Sequence, residues 1–109
     1  MRILLDQCLP HDFRHQLPGH DVHTIDWAGL KGFKNGRLLR EVEAKGYDVF
    51  LTIDRGIPHQ QNLSGRKLSI LLIHSRTNPI EDLLPAVSAI LKELATLQPG
   101  QVTEVSGRL

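Results

Sequence analysis

A single cysteine, Cys8, leaves the chain without an internal disulfide and fits a reducing compartment. No apolar stretch is long enough to span a bilayer. The first residues carry one Arg and a four-residue apolar run broken by Asp6, which does not read as a signal peptide. The expectation is therefore a cytoplasmic protein. There is no charge excess of either sign: 13 basic residues face 12 acidic ones. With no basic tail, a nucleic-acid partner would have to be met by the local placement of Arg and Lys. Linkers, repeats and low-complexity segments are also missing.

What is present is an ordinary globular balance, 40% hydrophobic and 23% charged, over 109 residues. That suffices for one domain with a core and hardly for two. RILL at 2–5 reads as a buried strand, and Leu9, Phe13 and Leu17 share a face in a short helix over 9–17. HDVHTI suits an outer strand over 20–25. WAGLKGFKNG has three glycines in ten residues and reads as a loop, with Trp27 and Phe33 as a lid over the core in preference to stacking surfaces for bases. Leu38, Leu39 and Val42 define a helix over 37–45 that Gly46 ends in the left-handed conformation.

DVFLTI at 48–53 has the composition of a central strand, and LSILLI at 68–73 of another buried one. Asn78, Pro79 and Glu81 form a helix start, and apolar spacing from Ile80 to Leu94 predicts one long helix over 79–97. QVTEV alternates and predicts a small fifth strand over 101–105. Strands alternating with helices give an α/β three-layer sandwich with a mostly parallel central sheet of four or five strands.

The chemistry concentrates at two strand ends. Asp6 closes ILLD and Asp54 closes VFLTID. In a parallel sheet, ligands bind outside the carboxyl ends of the strands where their order reverses. A first strand with neighbours on both sides puts Asp6 near that point. Carboxylates there suit Mg²⁺ or Mn²⁺, which can orient water and stabilise charge on a phosphate. Each can equally accept amide hydrogen bonds at the start of a helix or loop.

Asp26 ends the second strand, where it can approach the same mouth or, as favoured here, serve as a turn residue before Trp27. Asn35 is an amide ligand or a helix cap. Gln7 can orient water or phosphate but is no general base, and Cys8 reads as a small buried thiol. Lys34, Arg37 and Arg55 can form a positive rim with Lys31 and Arg76. His59, Gln60 and Gln61 follow Asp54 closely enough to line the same cleft, or serve their own loop. His11 and His15 are four apart but lack the glutamate and third ligand of a zinc site. GLKGFKNG lacks the spacing of a phosphate-binding Walker loop.

RILLDQCLP, GHDVHTIDWAGLKGFKNGRLL and DVFLTIDRGIPHQQNL together resemble a small PIN-like family, over Met1 to about residue 95. The resemblance implies a three-layer α/β nuclease that cleaves RNA phosphodiesters with Mg²⁺ or Mn²⁺ held by an acidic cluster. It centres the metal on Asp6 and Asp54, with Asn35 where relatives carry an acid. Gln7 and Gly56 also stand where acids are common. The implied partners are RNA as substrate, a small antitoxin protein that restrains a toxin, and a second copy of the chain in a homodimer, with no membrane. The depleted acidic set also fits a PIN-like module that binds nucleic acid or protein with little or no catalysis.

Overall fold

A computed structural model of the chain describes residues 1–57, 66–75 and 80–106, with Asn35 described for its backbone alone. Among these residues, β1 (Arg2–Leu5), β2 (Asp21–Thr24), β3 (Val49–Thr52), β4 (Ser69–His74) and β5 (Val102–Ser106) form one sheet. The order is β2-β1-β3-β4-β5, and every pairing is parallel. β1 lies between β2 and β3, the arrangement that the sequence implies for Asp6. The outer position of β2 and the fifth strand also match expectation.

Side-chain alternation divides the core into two. Ile3, Leu5, Val49, Leu51, Leu71 and Ile73 face one side, with Leu9, Phe13 and Leu17 from the β1–β2 connection. Leu4, Phe50 and Ile70 face the other, under Leu38, Leu39 and Val42 of α1 (Asn35–Ala44). Burial of both faces explains why the central strands read as continuous apolar runs. Elements on both sides make three layers.

Three local expectations change. His11–Gln16 is a 3₁₀ helix, with Phe13 N–H donating to the Pro10 carbonyl at 3.1 Å. The four-residue spacing identified the buried face but not the tighter winding. α1 begins at Asn35 with Lys34 in the N-cap position, so Asn35 is not the cap. The long carboxyl-terminal helix is interrupted. α2 (Ile80–Leu83) passes through a 3₁₀ turn, Leu84–Ala86, into α3 (Val87–Thr96). Pro85 has no N–H to donate, and its ring opposes a regular helical turn before it. Asn78 and Pro79, the expected start, lie outside the described residues.

Phe33 packs against the α1-side core, as a lid would. Trp27 does not: it is 69% exposed.

The end of α1 is a Schellman motif. Tyr47 N–H donates to the Val42 carbonyl and Gly46 N–H to that of Glu43, with Gly46 at φ +84°. A Cβ on Gly46 would meet Arg2 Nη1 at 3.0 Å. Gly46→Ala is expected to destabilise the fold by about 1–2 kcal/mol. Urea unfolding measures this, and an unchanged midpoint would contradict it.

Candidate metal centre

β1 and β3 are adjacent, and the strands that follow them, β2 and β4, lie on opposite sides of the pair. The gap at their carboxyl ends is therefore the switch point of the strand order. Asp6 follows β1 and Asp54 follows β3 by two residues. The ladder continues to Asp6, whose N–H donates to the Leu51 carbonyl at 2.9 Å.

Thr52 joins the two acids. Its hydroxyl donates to Asp6 Oδ2 at 2.6 Å and accepts the Asp54 N–H at 2.9 Å. The residue is fully buried at 0% exposure. One oxygen thereby fixes the Asp6 carboxylate and the backbone that carries Asp54. The sequence shows Thr52 only as part of DVFLTID and gives it no role in the site, because a threonine in an apolar strand looks like a β-former. Its position two residues before Asp54 is the signal that could have revealed it.

Each aspartate also performs the loop role open to it. Asp6 Oδ1 accepts the Gln7 N–H at 2.7 Å, and the Asp6 carbonyl accepts Leu9 N–H. Asp54 Oδ1 accepts the Gly56 N–H at 2.9 Å. Capping and ligation do not exclude one another, since a carboxylate has about four lone-pair sites.

Cys8 is half-buried, and its thiol donates to Asp6 Oδ2 at 3.5 Å. Burial first, then the Asp6 charge, pushes the thiol pKa up, against the lowering effect of a backbone hydrogen bond at Ile53. Both effects make the thiol a poorer nucleophile than a free cysteine. Iodoacetamide at pH 8 is expected to modify Cys8 more slowly in the folded protein than in urea. Equal rates would contradict this.

The other candidates divide by location. α1 runs back from the carboxyl end of β2 to the start of β3, so Lys34, Asn35 and Arg37 begin at the same end of the sheet as the acids. Lys34, Arg37, Gln7 and Arg55 are exposed. The Arg37 guanidinium stacks over Phe33 at 4.7 Å. Asp26 is a turn residue, its carbonyl accepting Gly29 N–H, with its carboxylate 3.8 Å from His11 Nε2. The Asn35 side chain, Arg76, His59, Gln60 and Gln61 lie outside the described set.

Among the described residues, no group of three His, Cys, Asp or Glu side chains gathers to hold a metal. The donor set is a carboxylate pair. It fits a hard cation that keeps most of its water, as Mg²⁺ does when one or two carboxylates and a substrate phosphate complete its shell. It does not fit a closed, all-protein cage.

Fold and site together define a parallel α/β protein with a threonine-linked aspartate pair at its switch point. In comparison with known proteins, the chain matches no family model, no curated protein and no solved structure. Among the described residues, no helix is long and apolar enough to cross a membrane.

Proposed function

We propose that the chain is a divalent-metal-dependent ribonuclease of the PIN-like kind, acting at the β1–β3 mouth. The observation that most supports this is the pairing of Asp6 and Asp54 through the buried Thr52 hydroxyl. Asp6 and Asp54 would hold Mg²⁺ or Mn²⁺, with Asn35 as an auxiliary ligand. Two carboxylates balance the charge of one divalent ion, so a single ion is the economical occupancy. Such an ion, when bound, activates water and offsets charge on the phosphoryl oxygens. The chain's own contribution is to fix the two carboxylates and to orient the RNA backbone with Gln7, Lys34, Arg37 and Arg55. His59, Gln60 and Gln61 belong to the same substrate rim in this reading. A toxin of this type would be restrained by a small antitoxin protein.

A second reading is a PIN-like binding module without catalysis. It is favoured by the lack of a third acid beside the pair among the described residues. Incubation of the purified protein with mixed RNA and Mn²⁺, against an EDTA control, separates the two. Metal-dependent cleavage supports the nuclease. RNA retention without cleavage at high protein concentration supports the module.

A further inference from the structure

A cavity of ≈ 500 Å³ opens at the outer edge of β2, and neither Asp6 nor Asp54 is among the residues that line it. Its walls include His11, Arg14, His23, Thr24, Asp26 and Trp27. Thr24 is the registered neighbour of Leu5, the residue before Asp6. The cavity therefore lies one strand over from Asp6, at the same end of the sheet.

Trp27 is built as a rigid platform. Its ring stacks on His23 at 3.8 Å between centroids, with 28° between planes. His23 is itself held at both nitrogens, Nδ1 with the Tyr47 hydroxyl at 2.8 Å and Nε2 with Asp21 at 2.9 Å. The Trp27 backbone N–H donates to Thr24 Oγ1 at 3.2 Å, which fixes the main chain that carries the ring. An indole so fixed, yet 69% exposed, presents apolar surface to solvent at little further entropic cost on binding.

The polar groups suit the rest of a nucleotide. Arg14 Nη1 donates to the His11 carbonyl at 2.7 Å, which anchors the guanidinium while other N–H donors stay available for a phosphate. Asp26 offers an acceptor for a base amino group or a ribose hydroxyl. A stacking ring, an anchored guanidinium and a carboxylate around one cavity match the parts of a nucleotide in a single strand.

We propose that this cavity binds an unpaired base of single-stranded RNA, stacked on Trp27, with Arg14 on its phosphate. The choice of RNA rests on the nuclease reading above, and the cavity would be a substrate subsite beside the aspartate pair.

Trp27 is the only tryptophan, so its fluorescence reports on this site alone. The test titrates the protein with fluorescein-labelled octauridylate and octaadenylate in EDTA, with anisotropy as a second readout. A saturable quench of Trp27 is expected. Trp27→Leu should weaken binding about tenfold or more, and Trp27→Phe should retain most of it. Arg14→Ala should weaken binding and reduce the slope of log K on log salt by about 1. Both parent side chains lie at the surface, so folding is not at stake. Absence of a quench, or equal affinity of the parent and Trp27→Leu, would overturn the assignment. Uridylate or adenylate monophosphate binding as tightly as the octamers would also overturn it, in favour of a free nucleotide. The metal is withheld, so the two proposals fail separately. Cleavage with no Trp27 effect removes the subsite; Trp27-dependent binding with no cleavage removes the nuclease.

Discussion

Asp6→Asn and Asp54→Asn are each expected to lower Mn²⁺-dependent RNA cleavage by more than about 100-fold. Outer-shell partners of a metal already cost about 10–100-fold when removed, and a direct ligand should exceed that. The amide keeps the size of the carboxylate, and at Asp54 its oxygen can still accept the Gly56 N–H. At Asp6, where both oxygens accept, one becomes a donor, so either the Gln7 N–H or the Thr52 hydroxyl bond is given up as well. What both variants lose is charge. With only two carboxylates in the donor set, removing one leaves half of the cation's charge unbalanced. The double variant should be little worse than either single one, because residues acting as a unit are not additive. Initial rates on labelled RNA measure this, with thermal unfolding to show that all variants fold. A single variant with near-parental activity would remove that aspartate from the site.

The second large effect is expected at Thr52. Thr52→Val conserves shape and deletes the hydroxyl that links the two acids. A hydrogen bond to a charged group contributes roughly 1.5–3 kcal/mol and a neutral one roughly 0.5–1.5 kcal/mol. Water reaching the exposed Asp54 side recovers part, so the expected loss is about 2–3 kcal/mol. For a domain of this size, that lowers Tm by roughly 10 °C or more. Thr52→Ser is the control. It keeps the hydroxyl and loses one buried methyl, about 1 kcal/mol. The serine variant should retain metal-dependent cleavage, while the valine variant should lose it even at a temperature where both are folded. Equal activity in both would show that Thr52 is structural only.

The carboxylate pair was legible because aspartate interrupts an apolar run in the same way twice. Its connection was not, because a threonine hydroxyl shows its partners only in three dimensions. The sheet was legible for a related reason. Strands buried on both faces must be apolar throughout, as Val49–Leu51 and Ile70–Ile73 are. Gly46 was readable from its place after Leu38, Leu39 and Val42. The break at Pro85 was not legible, because Leu83, Val87 and Ile90 keep helical spacing through a residue that cannot donate its N–H. Apolar periodicity reports which face is buried; it does not report whether backbone hydrogen bonding is continuous. The same limit applies at His11–Gln16, where Phe13 is buried as expected inside a 3₁₀ turn. The β2-edge cavity escaped the sequence reading because His11 and Arg14 meet Trp27 only after the β1–β2 connection folds alongside the edge strand.

The central claim is that Asp6 and Asp54 hold one divalent ion between them. Crystals soaked in Mn²⁺ and measured near the manganese absorption edge test it most directly. The expected result is one anomalous peak within about 2.0–2.6 Å of an oxygen from each aspartate, lost in Asp54→Asn crystals soaked identically. A map with no peak at the pair, or a peak that persists unchanged in Asp54→Asn, would contradict the claim.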